Sequence, residues 1–102
     1  VADEALAISI YCALVARNFK HGVILAVNHD GDSDSTGAIT GNLLGAMQGV
    51  TAIASEWLEP LELREVITTV AEDLYAFKDW DIGEYNKNAE MNQRVWQKYP
   101  GF

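Results

Sequence analysis

The chain has 102 residues and a mass of 11.2 kDa, the size of one domain or of part of a larger one. It is 49% hydrophobic and 22% charged, with a mean hydropathy of -0.03, which excludes wholesale disorder and a fibrous repeat. Seven Lys and Arg against fifteen Asp and Glu give a net charge of -8, with no basic cluster to meet a phosphate backbone. Nucleic acid is therefore not an expected partner, whereas divalent cations are compatible with the charge.

The single cysteine, Cys12, excludes an internal disulfide framework and a thiolate metal cluster. It lies in an apolar stretch, Leu6 to Val15, so a buried thiol in a reducing, cytoplasmic protein is expected. That stretch is too short to span a bilayer, and Asp3 and Glu4 stand where a signal peptide carries basic residues. No membrane partner is expected. The chain begins at Val1 rather than Met, at the threshold of a helix, the pattern of a cut or processed chain.

In chain order, Asp3 suits the N-cap of a helix running to about Asn18, with Leu6, Ile10, Leu14 and Val15 on one face. Val23 to Val27 is a short apolar run that fits either a strand or a short buried helix. Residues 28–36 are rich in turn and cap formers. From Ser35 or Thr36 to Gly49 comes a segment of helical length with Gly37, Gly41, Gly45 and Gly49 at every fourth place. Each interior glycine costs about 1 kcal/mol in a helix, so the stripe predicts close approach of another backbone. Thr36 is a candidate cap for this helix.

Ser55 suits the cap of a short turn through Trp57 to Glu59, ended by Pro60. Leu61, Val66, Ile67, Val70, Leu74 and Phe77 define an amphipathic helix to about Phe77. Residues 78–102 turn polar, with the aromatics Trp80, Tyr85, Trp96, Tyr99 and Phe102, and a short helix is expected from Ala89 to Lys98. The expected organisation is a helical body, 1–77, and an aromatic tail, 78–102, packed on it. The fold class is all-α.

One constellation carries evident chemistry, Asp30-Gly31-Asp32-Ser33-Asp34-Ser35-Thr36. Three alternating carboxylates repel each other unless a cation or hydrogen bonds neutralise them, and hard divalent cations prefer such oxygens. Helix capping alone needs only one such side chain. A calcium-binding EF-hand loop requires Gly at its sixth and Glu at its twelfth position. Counted from Asp30 those places hold Ser35 and Gly41, and from Asn28 they hold Ser33 and Ile39, so neither register fits. The Asp-x-Asp-x-Thr signature of haloacid-dehalogenase-type phosphatases is matched literally by Asp32, Asp34 and Thr36. Its nucleophilic Asp, however, ends a hydrophobic strand, and here Asn28 to Gly31 intervene after Val27.

The run from Leu25 through the acidic turn and glycine helix to Ala46 resembles the C-terminal signature of the ADP-ribosylglycohydrolase family. That signature is Gly-Asp-Thr/Ser-Asp-Thr/Ser at a turn opening a Gly/Ala-rich helix. The similarity reaches back to Ala2-Asp3-Glu4-Ala5-Leu6-Ala7 and forward through Gly49 to Leu58, covering residues 2 to about 75. The resemblance implies the C-terminal helical portion of an orthogonal helix bundle with a two-metal Mg2+ site, Mn2+ being a possible substitute. It implies hydrolysis of the bond between ADP-ribose and an acceptor, with an ADP-ribosylated substrate as partner. By match to the motif, Asp32, Asp34 and Ser35 would be metal ligands. Asp30 stands where Gly is frequent and reads as a solvated charge, and His29 reads as a helix-end histidine rather than a ligand. The family's second acidic cluster and its catalytic carboxylate have no counterpart in these residues. The chain is thus expected to be inactive alone and to pair with a missing N-terminal part of the same protein. A non-catalytic helical interaction module is the alternative.

Overall fold

A computed structural model describes residues 2–80, 82 and 88–101. Among them are six α-helices, two short 3-10 turns and no strand, the all-α architecture expected from periodicity. Two compact units divide at Leu61 and Glu62. The boundary read at Phe77 thus lies inside the second unit.

The first unit is built on α1 (Ala2–Val15), α2 (Phe19–Val27) and α3 (Ser33–Gln48). Asp3 and Glu4 occupy the first turn of α1, where their charge suits the positive end of the helix dipole, so Asp3 is helical rather than the cap. The buried side of α1 is Ala5, Ser9 and Cys12, not the larger apolar stripe. Leu6, Ile10, Leu14 and Val15 are exposed by 49%, 43%, 77% and 44%. Small side chains win this face because α3 lies close against it. Ser9 Oγ donates to Ala5 O at 2.7 Å with Thr36 O 3.3 Å away, and Thr40 Oγ1 donates to Ser9 O at 3.5 Å. Each of these buried hydroxyls therefore has a partner, without which its burial would be costly.

The ambiguous run Val23 to Val27 is helical, as the second half of α2. Asn18 caps its start by accepting from His21 N at 2.8 Å, and Asn28 closes its end by donating from Nδ2 to Ile24 O at 2.9 Å. Two cap residues ten apart leave room for a helix and remove the case for a strand.

The glycine segment is α3, ended by Gly49 with φ +82. Its buried row is Thr36, Thr40 and Leu44, each one place before a glycine. Only part of the stripe meets another element. A Cβ on Gly37 would fall 2.7 Å from Val27 Cγ1, one on Gly41 would make ordinary contact with Phe19, and Gly45 faces open space. The closest approach is instead at Gly22 of α2, where a Cβ would collide with Leu44 Cδ1 and lie 2.9 Å from Ala16 Cβ. After a 3-10 turn, Val50–Ala52, the short α4 (Ser55–Leu58) begins without a side-chain cap, so Ser55 is helical rather than the capping residue. Trp57 stacks edge-on to Phe19 with ring centroids 6.4 Å apart, and Glu56 pairs with Lys20. These contacts tie α4 to the start of α2.

The second unit holds α5 (Arg64–Ala76), a 3-10 turn over Phe77–Asp79, and α6 (Ala89–Lys98) at the bounds expected from sequence. Asn88 caps α6 by accepting from Met91 N at 3.1 Å. Of the tail aromatics, Tyr85 and Phe102 lie outside the described residues. Tyr99 reaches α5, its Oη donating to Asp73 Oδ2 at 2.6 Å beside Lys98 Nζ at 2.7 Å. An apolar gap between α5 and α6, lined by Val70, Leu74, Phe77, Val95 and Tyr99 among others, offers almost no polar surface to a charged ligand.

The Asp73 cluster makes this unit sensitive to pH at both ends. The Lys98 ammonium, then the Tyr99 hydroxyl, hold the Asp73 carboxyl below the usual aspartate value. Its contribution is complete above that value, about 3.9, and is lost as pH falls through the lower folded one. The same carboxylate raises Lys98 and Tyr99. Their contributions are complete below the usual values near 10 and vanish as pH rises through the raised ones. Amide exchange in α6 is therefore expected to be slowest on a plateau between these limits, after correction for intrinsic rates. In Asp73→Asn the acid limb should disappear, and an unchanged acid limb would show that another carboxylate holds α6.

Candidate functional site

The acidic turn bridges the end of α2 and the start of α3. The helix begins at Ser33, two or three residues before the expected start at Ser35 or Thr36, because Asp32 is its N-cap and accepts from Ser35 N at 3.4 Å. Asp34 Oδ1 accepts from the same amide at 3.0 Å. Asp32, Asp34 and Ser35 are thus gathered about one backbone N–H, with both carboxylates exposed and Ser35 half-buried. Asp30 is exposed, two residues before the cap. Among the described residues, no group of three or more His, Cys, Asp and Glu is arranged to hold a metal ion. Asp32, Asp34 and the Ser35 hydroxyl thus lie together at the start of α3.

The Asp32 carboxyl sits below the usual aspartate value. Its hydrogen bond with the Asp34 carboxyl is the largest cause, followed by those with the Ser35 hydroxyl and amide. The positive end of α3 amounts to roughly half an elementary charge, too little to balance two carboxylates.

Two residues anchor the turn, and sequence reasoning gave neither this role. Thr36, expected as a cap, is buried, and its Oγ1 donates to Ala26 O of α2 at 2.6 Å. His29 lies over it, Nε2 2.8 Å from Thr36 Oγ1, while its Nδ1 accepts from Gly31 N at 3.0 Å. An Nδ1 that accepts puts the ring proton on Nε2, so the chain of donors runs Nε2–H to Thr36 Oγ1–H to Ala26 O. Ser33 Oγ adds a bond to His29 O at 3.1 Å. The ring therefore braces the turn from inside, and the reading of His29 as a non-ligand is compatible with both nitrogens being engaged. The available signal was the spacing: a seven-residue interval across a tight turn folds position 29 back onto position 36.

A strand leading into Asp32, as a haloacid-dehalogenase-type site requires, is absent, since Phe19–Val27 is helical. The comparisons with known proteins agree with the other resemblance. Residues 1–82 match the ADP-ribosylglycohydrolase family. An ADP-ribosylarginine hydrolase, Tri1, of Serratia proteamaculans is 33% identical over 72 residues, covering 71% of this chain and 20% of that protein. The ADP-ribosyl-dinitrogen reductase glycohydrolase of Rhodospirillum rubrum is 46% identical over 50 residues, 49% of this chain and 17% of that protein. An uncharacterized protein of Archaeoglobus fulgidus is 38% identical over 72 residues, 71% of this chain and 23% of that protein. No solved structure matches. The chain spans about a fifth of the length of the curated relatives it matches. With the match running through both the acidic turn and the glycine helix, the chain belongs to the ADP-ribosylglycohydrolase family.

Proposed function

We propose that this chain supplies one side of the active site of a hydrolase that cleaves the glycosidic bond between ADP-ribose and an acceptor. The observation that carries the reading is the clustering of Asp32, Asp34 and Ser35 on a turn braced to α2 through Thr36 and His29. Those three residues are the ones that would hold Mg2+, two ions in the complete site, with Mn2+ a chemically reasonable substitute. Their donors fit such an ion in kind, since all are hard oxygens, but are too few to enclose it. The remaining ligands and a general acid-base carboxylate would come from the N-terminal part of the same protein. When bound, Mg2+ would supply orientation of ribose hydroxyls and activation of a water molecule.

What this chain does is hold its half of the site still. Asp32 fixes the start of α3 as its cap, Thr36 sets the distance from α3 to α2, and Asp34 leaves its carboxylate facing outward. The substrate would be an ADP-ribosylated side chain, the class named for the relatives from Serratia and Rhodospirillum. Nucleic acid and membrane have no place in this reading. Among the described residues no helix is long and apolar enough to cross a membrane, and a cytoplasmic setting suits the unpaired, buried Cys12. A non-catalytic helical module is the second reading, favoured by the exposed apolar side of α1.

The test is release of ADP-ribose from an ADP-ribosylated arginine by the complete, natively purified protein. Release with Mg2+ that stops on chelation and returns with added Mg2+ is expected. Release indifferent to chelation would remove the metal role, and none under any condition would favour the interaction module.

A further inference from the structure

We infer that the outward side of α1 is an internal packing surface, covered by the part of this same polypeptide that lies outside the 102 residues. The inference rests on the reading of the chain as one part of a longer protein, but needs none of its chemistry. The first support is composition. After Asp3 and Glu4 in its first turn the helix carries no charged residue from Ala5 to Val15, Ser9 is buried, and Tyr11 has the only other hydroxyl of that stretch. A helix apolar on every side is a core helix, since one at a domain surface keeps a polar face for water.

The second support is geometry. Leu6, Ile10 and Leu14 stand at i, i+4 and i+8, so they form one stripe along α1, with Tyr11 beside it. Leu14 is 77% exposed and Tyr11 65%. Single exposed apolar side chains are ordinary, but a contiguous row on a helix with no charge beyond its first turn marks a contact surface. The opposite side is already taken, because Ala5, Ser9 and Cys12 are buried and Ser9 exchanges contacts with Thr36 and Thr40 of α3. The helix is thus half of a sandwich.

The third support identifies the cover. The Serratia relative matches over 72 residues that make up only 20% of it, so about four-fifths of such a protein is available to close over α1. The covering segment must itself be apolar, because nothing on the stripe pairs with a charge.

Photo-crosslinking tests this without altering the fold. The complete protein is produced with photo-leucine, a near-isosteric diazirine analogue, irradiated at low concentration, and the adducts of the peptide carrying Leu6 and Leu14 are mapped. Adducts to residues outside the 102 are expected. Adducts within residues 62–102, adducts between two copies, or quenching by water alone would each overturn the inference. Hydroxyl-radical labelling of the unmodified protein gives a second reading, in which Leu14 and Tyr11 should react far more slowly than after unfolding. Because neither readout involves turnover or Mg2+, an inactive protein with a covered α1 would defeat the hydrolase reading alone.

Discussion

Turnover by the Asp34→Ala form of the complete protein is expected to fall by at least about 100-fold, a loss that even outer partners of metal ligands can cause. The fold should survive. Asp34 is exposed in the first turn of α3, and its bonds, to the amide of Ser35 and to the Asp32 carboxyl, stay within the turn itself. Asp32 differs, because it also caps the helix, so Asp32→Ala should lose some stability along with turnover. Asp32→Asn separates the two effects. Asparagine is as good a cap as aspartate but brings no charge, so stability should stay and Mg2+ affinity should drop. Asp30→Ala, at an exposed position before the cap, should leave both nearly unchanged. Calorimetric Mg2+ titration, thermal melting and ADP-ribose release on the four variants are the measurements. Normal release from Asp34→Ala would defeat the assignment of this turn to the active site.

Much of the fold was legible in the sequence because caps and punctuation are local. Asn88 opens α6, Gly49 ends α3, and the acidic turn separates two helices as its composition required. The cap assignments of Asp3, Ser55 and Thr36 fail locally, each helix starting earlier than expected, whereas the failures of packing come from partners distant in sequence or beyond it. Periodicity gathers Leu6, Ile10 and Leu14 on one face of α1, and that stripe is apolar as expected. It could not say which neighbour covers that stripe, and within these residues α3 takes the small-residue side instead. The glycine stripe predicts close approach of another backbone, and only Gly37 meets it tightly, against Val27, while Gly45 stands open. A four-residue repeat drifts around a helix, so it cannot keep every glycine against one neighbour. The bracing of the acidic turn by His29 and Thr36 was hidden because it depends on the direction in which the chain leaves α2. That direction is set by tertiary packing at Gly22 and Leu44 rather than by local propensity.

That packing carries the second large effect. Among the described residues Leu44 is the largest fully buried side chain, exposed by 1%, and Leu44→Ala should destabilise the protein by about 2–5 kcal/mol. Gly22→Ala tests the same contact from the other side. The added methyl gains about 1 kcal/mol of helix propensity. It also collides with Leu44 Cδ1 and crowds Ala16, and such overpacking typically costs about 1–3 kcal/mol, so a net loss is expected. In the double variant the methyl added at position 22 enters the space left by Leu44, and the loss should be smaller than the sum of the single losses. Because Thr36 bonds Ala26 O across this same helix pair, Leu44→Ala should also weaken Mg2+ binding at the turn. Val95→Ala, buried in the second unit, is the control that should lower stability without touching the metal. Chemical denaturation and Mg2+ titration of the four proteins would decide it. Strict additivity, with Mg2+ affinity untouched by Leu44→Ala, would mean that the turn is held by its own bonds and owes nothing to the packing beneath it.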